Sequence, residues 1–287
     1  MKQTAIYQRK RPTASPGFNK WVQSPRWFTG FWIAVVGCLA VFGANLVLGR
    51  VHPSSVWGLS FGIAATALLG ANLLYAVRRR TLRLRGLGKT WTYLQVHVYG
   101  GGLFLLLVLM HTGFATPRGV HTWWLYALSI WVVATGLIGI AIQKWIPTVL
   151  NASFPIEVHY DRVPALIDSI RVRSEKLVDG SGDRIRDFYG RNLAATLAGP
   201  RPQFMYFFDV TAGIHSRVKP FHYLRGLLAA EQREVLDELQ QLYTSKLQID
   251  AHYTLQKALR GWLILHVPAS VVLVALLGFH IFSVLYY

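Results

Sequence analysis

The chain has 287 residues, of which 53% are hydrophobic and only 15% are charged, whereas soluble domains are typically about 25% charged. The net charge of +17 comes from basic residues beside apolar stretches, a pattern typical of membrane proteins, so we expect no binding to nucleic acid. The single cysteine, Cys38, excludes a disulfide within the chain and an iron–sulfur cluster held by about four cysteines of this chain.

Five apolar segments are long enough to cross a bilayer, which takes about 20 residues with few charges. They run over residues 27–48, 56–77, 91–115, 123–142 and 259–287. We predict an all-α membrane protein with five transmembrane helices, four of them within residues 27–145 and the fifth at 259–287. Residues 1–26 form an N-terminal segment, and residues 146–258 form an insertion between helices four and five.

The loop charges predict the orientation of these helices, because Lys and Arg concentrate on the cytoplasmic side. Residues 1–26 and residues 78–90 together carry twelve basic residues, whereas the two loops on the opposite side carry only Arg50 and Arg118. We therefore expect a bacterial inner-membrane protein whose N-terminus and insertion are cytoplasmic and whose C-terminus is periplasmic.

The insertion differs in composition from the rest of the chain. All thirteen acidic residues lie between Glu157 and Asp250, which suits a folded polar domain. Apolar patterning predicts a small α/β domain with strands near residues 156–160 and 204–210 and helices over 163–177, 184–197 and 229–247.

Four of the ten histidines lie deep within two apolar segments. His97 and His111 are fourteen residues apart in the third, and His266 and His280 are fourteen apart in the fifth. Fourteen residues make about 3.9 helical turns and a rise of about 21 Å, so each pair projects from one face at two depths. Because helices three and five run in the same direction, we expect His97 to face His266 and His111 to face His280.

Buried polar groups in a membrane usually mark function, and two imidazoles can fill both axial positions of a haem iron. The pattern therefore predicts two b-type haems, one above the other, with His97 and His266 as ligands on the cytoplasmic side and His111 and His280 on the outer side. Helix–helix hydrogen bonding and a proton relay are the alternatives. A zinc site with histidines at i and i+4 does not fit this spacing.

The two pairs resemble the haem core of dihaem cytochrome b membrane subunits. The resemblance covers segments three to five and lies in the His-x13-His spacing of His97 with His111 and of His266 with His280. It implies a four-helix haem-binding bundle and electron transfer linked to quinone or quinol. Gln95, Tyr99 and His121 are candidates for contact with the quinone.

We therefore expect an electron-transfer subunit of a respiratory or photosynthetic oxidoreductase, one that does not catalyse a reaction alone. Its partners would be membrane lipid and redox subunits that carry an iron–sulfur cluster, a flavin or a c-type haem. Two other hypotheses stay open at this point. One is a self-sufficient reductase of an external acceptor such as ferric iron, and the other is a non-redox membrane scaffold or transporter.

Overall fold

The computed structural model of the protein describes residues 25–48, 52–80, 88–153, 160–207 and 209–286. Within these ranges the secondary structure is helical and contains no strand. The α-helices are α1 (Pro25–Val47), α2 (Val56–Arg80), α3 (Thr90–His111), α4 (Val120–Ser153), α5 (Val163–Asp179), α6 (Asp183–Phe188), α7 (Ala194–Leu197), α8 (Val210–Leu227) and α9 (Ala230–Tyr286). Most of the predicted N-terminal segment, the basic loop at 81–87 and residues 156–159 of the first predicted strand lie outside the described residues.

Five of the described helices, α1 to α4 and α9, are long and apolar enough to cross a membrane. Their lengths follow from runs of Leu, Val, Ile and Ala that are almost free of charge. In α9 the last charged residue is Arg260, and an uninterrupted uncharged segment follows it. The prediction of an all-α membrane protein is confirmed at this level.

The described residues divide into two compact units. The membrane unit comprises residues 25–144 and 262–286, and the polar unit comprises residues 145–261. Helix α9 contributes residues to both.

The core of the membrane unit lies where apolar residues of α2, α3 and α9 meet. Its buried members recur every three or four residues on α2 and α3, as expected of one helical face. They are Phe61, Ala65, Leu69, Phe104, Leu107, Met110 and Leu273. The buried faces of α2 and α3 pack against each other along several helical turns. This packing fixes the register of the α3 side chains against α2.

The polar unit has a separate core, built from α5 to α9. It buries apolar side chains at helical spacing, among them Leu236, Leu239, Tyr243 and Leu247 of α9. The leucine pattern that predicted a helix over 229–247 therefore identifies the face of α9 that packs into the core of the polar unit.

The prediction of a strand at 204–210 is wrong for the described residues. Phe204–Phe207 form a 3-10 helix, and α8 begins at Val210. The carboxylate of Asp209 accepts a hydrogen bond of 2.8 Å from the backbone N–H of Ala212 and so caps α8. A short apolar run does not distinguish a strand from a buried helical turn, and here Tyr206 is fully buried against its helical surroundings.

Two further features of the insertion differ from the prediction. The helix α8 was not predicted, although its aspartate cap is visible in the sequence. The predicted helix over 229–247 and the fifth membrane segment are one continuous helix, α9. The described part of the insertion is thus helical, and the expected α/β character is not found there.

Candidate functional site

The first level of the candidate site is formed by His97 on α3 and His266 on α9. The centroids of their rings are 6.4 Å apart, and the ring planes are inclined at 82°. Two imidazoles that bind one metal ion from opposite sides would place their centroids about 6.3 Å apart, given metal–nitrogen bonds of about 2.0 Å. The centroid spacing at this level is compatible with one metal ion between the two rings.

Backbone carbonyls of α2 fix the tautomers of both histidines of α3. His97 Nδ1 lies 3.3 Å from the carbonyl oxygen of Asn72, and His111 Nδ1 lies 2.8 Å from that of Gly58. Because a carbonyl oxygen only accepts hydrogen bonds, the proton of each ring must be on Nδ1. Nε2 then carries the lone pair, which is the form in which histidine binds a metal.

His266 has a comparable partner on α4. Its Nδ1 lies 3.0 Å from the hydroxyl oxygen of Thr135, and the same hydroxyl lies 2.8 Å from the carbonyl oxygen of Trp131. The Thr135 hydroxyl also lies 3.0 Å from the carbonyl oxygen of Val132. With its single proton donated to either carbonyl, the Thr135 oxygen is free to accept from His266 Nδ1–H. Trp262 stacks on the His266 ring at 5.6 Å and donates from its indole nitrogen to the Thr135 carbonyl at 2.7 Å.

The second level of the site is formed by His111 and His280. The described ring contact of His280 is with His121 rather than with His111. The ring centroid of His280 lies 6.0 Å from that of His121, with the planes inclined at only 27°. His121 also contacts Phe279, with centroids 4.8 Å apart. The structure thus places a third histidine, His121, beside His280.

Glycines of the flanking helices give the histidines their space. A Cβ atom on Gly62 of α2 would lie 3.0 Å from His111 Nδ1, and one on Gly136 of α4 would lie 3.6 Å from His266 Cε1. By contrast, a Cβ atom on Gly101 or Gly278 would meet nothing within 4 Å. Gly62, Gly58, Asn72 and Thr135 were not recognised from the sequence, because a small residue or a backbone carbonyl gives no signal of its own.

Tyr99, one of the candidate quinone contacts, faces α1, and Gln95, another candidate, is buried. The ring of Tyr99 stacks on Trp27 and contacts Phe31. Gln95 is fully buried, and neither polar atom of its amide has a hydrogen-bond partner among the described residues. The described ring contacts of Tyr99 are thus with α1, whereas His121 lies beside His280.

The donor set narrows the kind of group that the site could bind. The described residues contain no cluster of three or more His, Cys, Asp or Glu side chains that could hold a metal ion. Two histidines alone leave most positions of a bare ion unfilled. A haem needs only the two axial ligands from the protein, so the residues present fit a haem better than a free metal.

Comparison of the chain with models of protein families, with curated proteins and with solved structures finds no match.

Proposed function

We propose that the protein carries electrons across the membrane through two b-type haems held by histidine pairs. His97 and His266 bind the first haem, and His111 and His280 bind the second. The observation that carries the proposal is the 6.4 Å spacing of the His97 and His266 rings, together with Nδ1 hydrogen bonds that leave Nε2 available on three of the four histidines.

Each bound haem would supply an iron ion that takes up and releases one electron. The histidines fill both axial positions and so favour electron transfer over the binding of oxygen or substrate. The rise of fourteen residues along a helix separates the levels by about 21 Å, which spans much of a hydrocarbon layer of about 30 Å. The pairs thus give electrons two positions across the bilayer.

The chain would transfer electrons between the quinone pool and a partner redox subunit. Quinone or quinol would exchange electrons with one haem from within the lipid. An iron–sulfur, flavin or c-type cytochrome protein would exchange electrons with the other, and the polar unit is a docking surface for such a partner. The charge pattern supports a bacterial inner membrane with the N-terminus in the cytoplasm.

The test is an absorption spectrum of the purified complex with and without a reductant. We expect b-type haem bands and two haems per chain. His97→Ala and His266→Ala should each remove the same haem, and His111→Ala should remove the other, because each change deletes one axial ligand. His52→Ala, which alters an exposed histidine that hydrogen-bonds to Ser54, is the matched control and should keep both haems.

Two results would overturn the proposal. A wild-type protein without b-type bands would favour a scaffold or transporter whose histidines only join helices. Retention of both haems in the His97→Ala and His266→Ala variants would show that other residues hold them.

A further inference from the structure

The hydrogen-bond partners of the α3 histidines follow a regular antiparallel register. Asn72 of α2 lies opposite His97, and Gly58 lies opposite His111. The two partners are fourteen residues apart, as are the two histidines, but they run in the opposite direction along the chain. One face of α2 therefore serves both levels of the site.

Helix α4 repeats this register against α9. Thr135 lies opposite His266. A step of fourteen residues back along α4 and fourteen forward along α9 leads from this pair to His121 and His280. The rings of these two histidines do lie side by side, with centroids 6.0 Å apart. His121 thus occupies, at the second level, the position that Thr135 occupies at the first.

The rings of His121 and His280 differ from those of the other site histidines in their hydrogen bonding. Nε2 of His121 is buried and has no hydrogen-bond partner among the described residues. The described residues also give the ring of His280 no hydrogen bond, although the other three histidines each have one. A buried nitrogen without a partner costs free energy, so a donor on the adjacent His280 ring would offset this cost at His121 Nε2.

The distance between the two rings is close to that of an imidazole–imidazole hydrogen bond. Two imidazoles joined by an N–H···N bond of about 2.9 Å have centroids about 5.2 Å apart. The observed 6.0 Å exceeds this by less than 1 Å, and the planes are close to parallel. A small rotation of either side chain closes the gap.

We propose that His121 is the positioning residue of the second haem and that its Nε2 accepts a hydrogen bond from Nδ1–H of His280. This inference rests on the proposed function, since it concerns a histidine that binds iron through Nε2. An acceptor on the far nitrogen fixes the tautomer and ring orientation of a metal-binding histidine and raises its basicity. His121 would thereby stabilise the ferric form of the second haem, as Thr135 would for the first.

The experiment is a redox titration of both haems at one fixed pH in the full-length complex. The second haem is identified as the one that His111→Ala removes. His121→Phe keeps a ring but removes the acceptor, so we expect the midpoint potential of the second haem to rise while that of the first is unchanged. His121→Gln supplies an amide oxygen and should restore a potential close to that of the wild type. Thr135→Val is the matched variant and should raise the potential of the first haem only.

The outcomes separate the two proposals. If His121→Phe loses the second haem and His121→Gln keeps it near the wild-type potential, the positioning role is supported. The role is overturned if His121→Phe leaves the second potential unchanged while Thr135→Val shifts the first, or if His121→Gln behaves like His121→Phe. A wild-type complex without haem bands would instead remove the proposed function itself.

Discussion

The two units of the protein bury polar groups in opposite ways. The polar unit buries a charged pair, in which Lys246 Nζ and Asp250 Oδ2 are 2.5 Å apart and both side chains are fully inaccessible. The membrane unit contains no Asp or Glu, and three of its half-buried histidine rings are hydrogen-bonded through Nδ1. The polar unit therefore satisfies its buried charge internally, whereas the membrane unit keeps ring nitrogens available for a bound group.

Further hydrogen bonds surround the charged pair of Lys246 and Asp250. The second carboxylate oxygen of Asp250 accepts a hydrogen bond of 3.1 Å from the backbone N–H of Arg201. One turn further along α9, the hydroxyl of Thr254 accepts from the backbone N–H of Gln203 at 3.2 Å. Burial lowers the pKa of Lys246 and raises the pKa of Asp250, so each charge depends on the other. The pair holds the loop before Tyr206 against α9.

The largest effect is expected from breaking this pair on one side. Asp250→Asn would leave the Lys246 ammonium buried without its counter-charge, which typically costs about 3–5 kcal/mol. We expect this loss in the polar unit when unfolding is followed by hydrogen exchange of residues 163–258 under increasing urea. Asp187→Asn breaks an exposed pair with the same i,i+4 spacing, Asp187 with Arg191, and should change stability by less than about 0.5 kcal/mol.

A double variant sharpens that test. Replacement of both partners, as in Lys246→Met with Asp250→Leu, removes both charges and should recover most of the loss. If the double variant were as unstable as Asp250→Asn alone, the hydrogen bond to Arg201, rather than the charge pair, would be what stabilises the loop.

A pH change provides the second test, because burial lowers the pKa of His252 to about 4 from its ordinary value near 6.5. The folded form therefore favours the neutral ring, and its stabilising contribution is complete above pH 6.5. As the pH falls from 6.5 towards 4, the unfolded chain binds a proton that the folded chain does not bind. We expect the polar unit to lose about 1.5 kcal/mol between pH 6.5 and pH 5.

The measurement is the urea midpoint of the same residues at the two pH values. His252→Gln cannot take up the proton, so its stability should depend less on pH by about that amount. An equal pH dependence in the variant and the wild type would assign the effect to other groups.

The smallest effect is expected from a larger side chain at a tightly packed glycine of the membrane unit. A Cβ atom on Gly139 would clash with the indole ring of Trp262, the side chain that stacks on His266. Overpacking costs about 1–3 kcal/mol, and part of it is offset by the higher helix propensity of alanine. Gly139→Ala should therefore lower stability by about 1 kcal/mol, measured as a lower melting temperature in detergent.

Gly37→Ala is the matched control for this prediction, since nothing lies within 4 Å of its added methyl group. It should leave the melting temperature unchanged or raise it slightly. A fall as large as that of Gly139→Ala would show that the backbone freedom of glycine, rather than the contact with Trp262, is what matters.

The polar unit was harder to predict from sequence than the membrane unit. Leucine spacing identified the buried face of α9, but the apolar run at Phe204–Phe207 was misjudged and α8 was missed. A short polar-domain segment owes its conformation to the neighbours that bury it, as Tyr206 shows. In a bilayer, by contrast, a long apolar run has to satisfy its backbone internally and forms a helix.

The sequence by itself determined the five apolar helices and the two histidine pairs, because hydropathy and a spacing of fourteen residues depend only on local order. The tertiary structure alone decided which groups meet the histidines. The carbonyls of Gly58 and Asn72 and the hydroxyl of Thr135 reach them only through antiparallel packing of α2 on α3 and of α4 on α9. The same packing brings His121 to His280. A partner on a neighbouring helix is set by register between elements distant in the chain, and no local pattern carries that information.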